Sequence, residues 1–240
     1  MISFVIPAHD EERHVGSAVR SVIDAAREVG EPFEVIVVDD DSSDRTAAIA
    51  QECGARVIRV AHRQIAATRN AGARAARGDI LFFVDADTLA NARAIRAALT
   101  AIRGGAVGGG CVFRFDGSLP LWGRCLYPVA VVTARAINMV GGCFLFCTRV
   151  AFEAVGGFDE RYYAAEEAAF ITALKRIGQF VIPGPSVVTS GRKLRAYPAR
   201  RILGVAWLWM ACGPESFRHR EGLDLWYGER PPDPGGPGPP

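Results

Sequence analysis

A short apolar run that ends in two carboxylates, one residue apart, is the feature that most constrains this chain. The run Ile80–Val84 follows Gly78 and Asp79, as expected for a buried strand, and Asp85 and Asp87 stand at its exit. Side chains stop alternating at the end of a strand, so both carboxylates can turn toward one point. Two converging carboxylates repel one another unless a cation lies between them, and oxygen ligands suit Mg²⁺ or Mn²⁺. The pattern therefore predicts a divalent-metal site at Asp85 and Asp87.

The same motif has a simpler structural interpretation, in which Asp87 or Thr88 caps a helix that begins near Asn91. An isolated Asp-x-Asp is too short and too common to distinguish a helix cap from a metal site. The distinction depends on what the other strand ends of the chain carry.

The chain before this motif alternates short apolar runs with stretches of helical spacing. Four strands are predicted, at Ile2–Pro7, Phe33–Val38, Arg56–Val60 and Ile80–Val84. Helices are predicted between them, at Arg13–Val29, Ser43–Cys53 and Gln64–Arg77. Helices of this length between buried strands indicate βαβ units around a parallel sheet.

Three of the four predicted strands end in carboxylates. Ligands of parallel sheets bind beyond the carboxyl ends of the strands, so we expect these groups at one rim. They are Asp10, Glu11, Asp39, Asp40, Asp41, Asp44, Asp85 and Asp87. A rim made of carboxylates alone would repel itself, and a cation or a ligand rich in hydrogen-bond donors is therefore expected there.

Composition limits the partners and the compartment. The 240 residues carry a formal net charge of +2, which gives no signature of nucleic-acid binding, so no nucleic-acid partner is expected. Met1 leads directly into the first predicted strand without a signal peptide, and we expect a cytoplasmic protein. The apolar stretch Ile202–Cys212 follows the basic run Arg192–Arg201. This stretch either packs on the sheet as a C-terminal helix or makes a peripheral contact with the inner face of the membrane.

Further motifs stand in a fixed order around the Asp-x-Asp. They are Phe4–Glu12 (F-V-I-P-A-H-D-E-E), Val35–Thr46 (V-I-V-V-D-D-D-S-S-D-R-T), Arg69–Gly72 (R-N-A-G), Ala76–Asp79 (A-R-G-D), Gly156–Glu160 (G-G-F-D-E) and the pair Glu166-Glu167. In combination they resemble the family 2 glycosyltransferases of the GT-A fold, from residue 2 to about residue 195. The segment Val187–Lys193 (V-V-T-S-G-R-K) resembles a smaller bacterial branch of that family.

The resemblance implies both a fold and a reaction. The fold would be α/β, of the GT-A type found in nucleotide-diphospho-sugar transferases, with a mostly parallel central sheet flanked by helices. The reaction would be inverting transfer of a sugar from a nucleotide-diphosphate-sugar donor to a hydroxyl acceptor. Mg²⁺ or Mn²⁺ on Asp85 and Asp87 would stabilise the departing diphosphate. A saccharide, a lipid and a small molecule remain open as acceptors, and the oligomeric state is open as well.

The resemblance also assigns residues. The donor would be contacted by Pro7, His9, Glu11, Asp39, Asp40, Arg69, Asp85, Ala86 and Arg192. His9 stands where the family usually has Tyr, and Asp41 where it usually has Gly. Glu167 would be the catalytic base at a position that is usually Asp, with Glu166 as the alternative or as a partner in the role. Without the resemblance, two carboxylates in a first helical turn could simply complement the helix dipole.

The expected organisation is one catalytic domain. It covers 1–228, with a nucleotide-binding half at 1–103, an acceptor half at 104–195 and a C-terminal helical segment at 196–228. The Pro- and Gly-rich tail at 229–240 is predicted to be disordered.

Two other functions fit parts of the pattern. Asp85–Thr88 resembles the nucleophile motif of haloacid-dehalogenase-type phosphatases, but that family carries it on the first strand and needs a later adjacent Asp pair, which the sequence lacks after Asp87. A non-catalytic nucleotide-sugar-binding or scaffolding protein on the same fold is kept open by the unusual Glu167.

Overall fold

The computed structural model describes residues 1–219, 222–228 and 233. Over these residues the strands are β1 (Ile2–Ala8), β2 (Phe33–Asp40), β3 (Arg56–Val60), β4 (Ile80–Val84), β5 (Thr88–Leu89), β6 (Gly108–Gly110), β7 (Phe113–Phe115), β8 (Phe144–Thr148), β9 (Phe180–Val181) and β10 (Val187–Thr189). The helices are α1 (Val15–Val29), α2 (Thr46–Glu52), α3 (Ile65–Ala75), α4 (Ala92–Arg103), α5 (Leu121–Ala136), α6 (Arg149–Ala154), α7 (Glu166–Ile177), α8 (Arg192–Ala196), α9 (Ala199–Cys212) and α10 (Asp224–Tyr227). A short 3-10 helix spans Pro214–Phe217.

A mostly parallel seven-stranded sheet forms the centre of the molecule. Its strand order is β3-β2-β1-β4-β8-β6-β9, and β8 runs antiparallel to both of its neighbours while the other pairings are parallel. Strands β5, β10 and β7 form a second, small sheet. The predicted α/β architecture, a mostly parallel central sheet flanked by helices, is confirmed, because helices cover both faces of the central sheet.

The central position of β1 sets up the rim that the sequence predicts. β2 and β4 pair with β1 on either side, both parallel to it, so the carboxyl ends of the three strands lie side by side. The carboxylates that follow each strand therefore approach one another across the end of the sheet.

Both faces of the sheet are buried against apolar side chains. On one face Phe82 packs between Phe4 and Phe146, with ring centroids 5.0 and 5.7 Å away, under α1 and α4. On the other face Phe83 meets Phe158 at 4.9 Å, under α3 and α7. Strands buried on both faces read as continuous apolar runs, which is why β1, β2 and β4 were recognisable in the sequence.

Two expectations about helix starts differ from the structure. The second helix begins at Thr46 instead of Ser43, and Asp44 Oδ1 just before it accepts a hydrogen bond from the Thr46 amide at 2.9 Å. The capping interpretation of the Asp-x-Asp is wrong, since Asn91 caps α4 by accepting from the Ala94 amide at 3.0 Å. Asp87 and Thr88 are not needed for that purpose.

The predicted disordered tail at 229–240 falls outside the described residues, apart from Asp233. The Asp233 carboxylate accepts two hydrogen bonds from Arg195, at 2.7 and 2.6 Å. Among the described helices, none combines the length and the apolar character needed to cross a membrane.

Candidate active site

A cavity of about 610 Å³ opens where β1, β2 and β4 end. The predicted site residues that line it are Pro7, His9, Glu11, Asp40, Asp85, Ala86, Asp87 and Arg192. Asp39, Arg69, Glu166 and Glu167 are not among the lining residues. The structure thus brings together most of the predicted donor and metal residues, and it places the remaining four behind or beside the cavity wall.

The two carboxylates of the Asp-x-Asp face the cavity in different environments. The Asp85 side chain is 31% exposed and the Asp87 side chain 16% exposed. Burial raises the pKa of Asp87, with further contributions from Glu11 and Asp85, while Arg192 acts in the opposite direction. The negative charge of Asp87 is therefore held at a cost that a cation in the cavity would reduce.

Arg192 joins two of these acidic positions. Its guanidinium donates to both carboxylate oxygens of Glu11, at 2.8 and 2.5 Å, in the bidentate arrangement that binds carboxylates most strongly. The same side chain lies 3.1 Å from Asp87 Oδ2. Arg192 reaches the rim from α8, and Lys193 of the same helix also lines the cavity. Two cationic side chains thus line the cavity together with the Asp-x-Asp.

Arg69 connects the Asp-x-Asp to the acidic pair below it. It is only 1% exposed and donates to Glu166 Oε1 at 2.6 Å, to Asp85 Oδ1 at 2.8 Å and to the Gly142 carbonyl at 3.1 Å. Burial raises the pKa of Glu166 to about 8, reinforced by the neighbouring Glu167 carboxylate and opposed by Arg69. Arg69 therefore orients Asp85 from behind the cavity wall and is not positioned to contact a donor.

Glu167 differs from its neighbour in exposure. Glu166 is 4% exposed, whereas Glu167 is half-buried. Both residues open α7, which follows Ala165 in the left-handed region at φ 60°. The Cβ of Glu167 lies close to Gly142, because a Cβ added to that glycine would lie 3.2 Å from it. The turn at Ala165 thus directs one carboxylate to Arg69 and leaves the other nearer the surface.

Asp40 builds the rim through the backbone of the loop before α3. Its carboxylate accepts hydrogen bonds from the amides of His62, Arg63 and Gln64 at 2.7, 2.8 and 3.1 Å, and from Thr68 Oγ1 at 2.6 Å. Both oxygens of Asp40 are therefore committed to shaping the cavity wall.

Asp39 points differently from Asp40. It is 4% exposed, its Oδ2 lies 3.8 Å from Arg59, and its Oδ1 has no hydrogen-bond partner among the described residues. Successive side chains of a strand point to opposite faces, and β2 still pairs with β3 at both Asp39 and Asp40. The prediction that both carboxylates lie beyond the strand is therefore incorrect.

His9 sits at the other end of the cavity floor. Its Nδ1 lies 2.7 Å from the Asp40 carbonyl and its Nε2 lies 3.0 Å from Asp10 Oδ2, and the Arg63 guanidinium also contacts the ring. Arg63 is a lining residue that sequence reasoning missed, together with Gln64, Thr68, Tyr197 and Tyr227. They belong to no motif, and only the packing of the 62–64 loop, of α3 and of the C-terminal segment brings them to the cavity.

The residues present fit a divalent cation. Asp85 and Asp87 supply two carboxylates that face one cavity, and no group of three or more His, Cys, Asp or Glu suited to a metal occurs in the part of the chain that the structure describes. Two protein carboxylates leave positions for water and substrate oxygens, which is how Mg²⁺ is usually held at phosphate sites.

The comparison with family sequences decides the assignment. The sequence model of the family described as Glycosyl transferase family 2 matches residues 3–148. This chain belongs to glycosyltransferase family 2. The match covers β1 to β8 and therefore contains the Asp-x-Asp and the rim of the cavity. The predicted family is confirmed.

Two curated transferases are similar to this chain over about 100 residues. The chain is 39% identical over 104 residues to a 4,4'-diaponeurosporenoate glycosyltransferase of Staphylococcus haemolyticus, covering 40% of this chain and 27% of that protein. It is 33% identical over 93 residues to an undecaprenyl-phosphate 4-deoxy-4-formamido-L-arabinose transferase of Pectobacterium carotovorum, covering 36% of this chain and 28% of that protein. The similarity thus spans little more than a quarter of each of these relatives.

Solved glycosyltransferases share the fold over nearly the whole chain. A mannosyltransferase of Pyrobaculum calidifontis, in complex with GDP-Man and Mn²⁺, superposes with a TM-score of 0.66 at 20% identity, covering 97% of this chain and 66% of that one. A glucosyl-3-phosphoglycerate synthase of Mycobacterium tuberculosis, in complex with Mn²⁺, UDP and glucosyl-3-phosphoglycerate, superposes with a TM-score of 0.57 at 23% identity, covering 89% of this chain and 80% of that one. At these identities the likeness concerns the fold.

Proposed function

We propose that this protein is an inverting glycosyltransferase that moves a sugar from a nucleotide-diphosphate-sugar donor to a hydroxyl acceptor. The observation that carries the proposal is that one cavity at the strand ends is lined by Asp85 and Asp87 together with Arg192 and Lys193. A diphosphate needs cationic partners on its oxygens, and carboxylates can serve it only through a metal ion. The two sets of residues together suit a metal-bound diphosphate.

Asp85 and Asp87 would hold the cation, Mg²⁺ or Mn²⁺. When bound, this ion stabilises negative charge on the departing diphosphate as a Lewis acid. Arg69 keeps Asp85 in place through its 2.8 Å hydrogen bond, so the position of one ligand is fixed from the protein interior. The presence of Mn²⁺ in the solved mannosyltransferase supports this proposal.

The nucleoside would occupy the part of the cavity formed by Pro7, His9, Glu11 and Asp40. Asp40 contributes by fixing the 62–64 loop, and Arg63 and His9 present the polar atoms at that end. Arg192 would exchange its contact with Asp87 for a contact with the diphosphate while its guanidinium stays bound to Glu11. The GDP-Man and UDP in the two solved structures support a nucleotide ligand and leave the base to experiment.

Glu167 would be the general base that takes the proton of the acceptor hydroxyl. Its partial exposure gives an acceptor access to the carboxylate, whereas Glu166 is buried against Arg69. Glu166 is then a positioning residue, because it orients Arg69 and through it Asp85. Saccharide, lipid and small-molecule acceptors all carry the hydroxyl group that this arrangement requires.

Calorimetry with Mn²⁺, Mg²⁺ and a panel of nucleotide-sugars tests the proposal. We expect a donor to bind only when a divalent cation is present. In a separate hydrolysis assay without acceptor, we expect the bound donor to be hydrolysed slowly, with release of its nucleoside diphosphate. The absence of binding by any nucleotide-sugar with either metal would refute it. Metal-dependent binding without any release, even with acceptor mixtures, would favour the non-catalytic binding protein, and release of inorganic phosphate from phosphate esters would favour the phosphatase.

A further inference from the structure

Helix α5 is apolar around most of its circumference, yet its side chains lie largely in solvent. Gly123 is the one buried residue of this helix, whereas Leu121, Val129 and Val132 are 77%, 62% and 69% exposed. A helix that is apolar on all sides is normally enclosed by protein or lipid. An apolar patch of this kind marks an interaction surface.

Four of the exposed side chains of α5 form one stripe. Leu121, Cys125, Val129 and Val132 follow one another at intervals of four, four and three residues, which places them on one side of the helix, and all four are exposed. Tyr127 lies on the opposite side and packs on the two phenylalanine rings of β7, with centroids 6.3 and 5.4 Å away. The helix therefore contacts the rest of the protein through its Tyr127 side, and the apolar stripe faces solvent.

Helix α9 carries a second exposed apolar pair. Leu203 and Trp207 are 46% and 69% exposed and stand four residues apart, on one side of that helix. Arg195 of α8, four residues before α9, donates to Asp116, five residues before α5, at 3.0 Å, so the segments that lead into the two helices are joined. α8, which carries Arg192 into the cavity, lies directly before α9, so this part of the surface adjoins the cavity rim.

The two sequence segments that contain these helices carry basic residues and no acidic ones. No acidic residue occurs between Asp116 and Glu153, the segment that contains α5, or between Glu167 and Glu215, the segment that contains α9. The exposed basic side chains on the two helices are Arg124, Arg135, Arg200 and Arg201. Basic and apolar side chains without acids are complementary to an anionic lipid surface.

We propose that the face formed by Leu121, Val129, Val132, Leu203 and Trp207, the α5–α9 face, docks on an anionic lipid membrane. The 16 residues of α5 extend about 24 Å, which is short of the roughly 30 Å hydrocarbon core, so the helix lies in the plane of the membrane surface. Its stripe enters the acyl region, the arginines meet the headgroup phosphates, and Trp207 sits at the interface, where tryptophan is enriched. This inference is independent of glycosyl transfer, since it uses none of the residues of the cavity.

Vesicle cosedimentation tests the proposal with the full chain. The probes are phosphatidylcholine vesicles and mixed phosphatidylcholine–phosphatidylglycerol vesicles, each at low and high salt. The test variant is Val129→Asp/Val132→Asp. The matched control is Val150→Asp/Ile177→Asp, which adds the same charges at exposed apolar positions on α6 and α7, where Val150 is 77% and Ile177 46% exposed.

We expect the parent chain to sediment with phosphatidylglycerol vesicles, salt to weaken that binding, the test variant to lose it and the control variant to keep it. Arg124→Ala/Arg135→Ala should weaken binding about 25-fold, at roughly fivefold for each arginine near the surface. Circular dichroism spectra of the variants that match the spectrum of the parent show that the fold is intact, so a loss of binding is then due to the changed surface. The proposal is overturned if no vesicle binds, if neutral vesicles bind equally well, or if both double Asp variants bind alike. It is also overturned if analytical ultracentrifugation shows a dimer of the parent that the test variant dissociates, since a second copy would then cover the face.

Discussion

Arg69 Nη1 lies 2.6 Å from Glu166 Oε1, and both side chains are almost completely buried. The two residues are separated by 97 positions, and they join α3 to α7 beneath the cavity. A second nitrogen of Arg69 holds Asp85, so one guanidinium sets the geometry of both acidic centres. The contact therefore carries stability and function together.

Replacing Arg69 with Met should destabilise the fold by about 3 kcal/mol, the lower end for breaking a buried ion pair, because protonation of Glu166 relieves part of the cost. Chemical denaturation measures this change. Arg74→Met is the matched control on the same helix, since Arg74 is 64% exposed and should change stability by less than about 0.5 kcal/mol. Equal stability of the two variants would show that the buried contact is dispensable.

Asp87→Asn should abolish metal-dependent donor binding without lowering the melting temperature. Burial raises the pKa of Asp87, so its charge is held against the preference of the site, and an amide removes that cost. Arg192 keeps its bidentate contact with Glu11 in the variant. Calorimetry with Mn²⁺ and donor measures the binding, and Asp24→Asn, at an exposed position of α1, serves as the control. If Asp87→Asn binds the donor with unchanged Mn²⁺ dependence, the assignment of Asp87 as a metal ligand is wrong.

Glu167→Gln should lower the rate of transfer by about 10² to 10⁴ while donor affinity survives, because glutamine keeps the size of the side chain and cannot take a proton. Glu166→Gln should cost less in rate at saturating donor, since Glu166 acts through Arg69. Initial rates at saturating donor and metal measure both. A larger loss in Glu166→Gln would move the base to that residue.

The strands and their exits could be predicted because each depends on a local pattern. β3 and β4 occur at the predicted residues, and the carboxylates after β1 and β4 line the cavity as expected. Parallel strands buried on both faces give continuous apolar runs, and that signal does not require knowledge of the partner strands.

The contacts across the site could not be predicted, because they join distant parts of the chain. Arg192 meets Glu11 across 181 positions, and the loop at His62–Gln64 reaches the cavity only because Asp40 binds its amides. The resemblance placed Arg69 among the donor contacts, whereas the structure buries it behind Asp85. No periodicity marks such pairs, and a resemblance assigns a position without the direction of its side chain.

Stability should fall as pH rises from about 4.5, the ordinary value for a glutamate, toward the pKa of about 8 that burial gives Glu166. The folded state holds the Glu166 proton more tightly than the unfolded state does. The protonated carboxyl therefore adds its full contribution to the free energy of unfolding below pH 4.5, and this contribution is lost above about pH 8. Arg69, Glu167 and Asp85 are the charged groups that surround the carboxyl. Denaturation at several pH values checks the slope. Glu166→Gln should show a flatter profile over the same range, and an identical profile would assign the slope to other groups.

Gly72→Ala should destabilise the fold by about 1 to 3 kcal/mol, although alanine is the better helix former. A Cβ at Gly72 would lie 2.8 Å from a methyl group of Val38 and closer still to Val5, so α3 would have to move away from the sheet. That movement would carry Arg69 and Asn70 with it. Gly204→Ala in α9 is the matched control, because its Cβ would meet nothing within 4 Å, and it should stabilise the helix by about 0.5 to 1 kcal/mol. Chemical denaturation should therefore give changes of opposite sign for the same substitution, and a stabilising Gly72→Ala would mean that α3 does not press on β1 and β2 as closely as the structure has it.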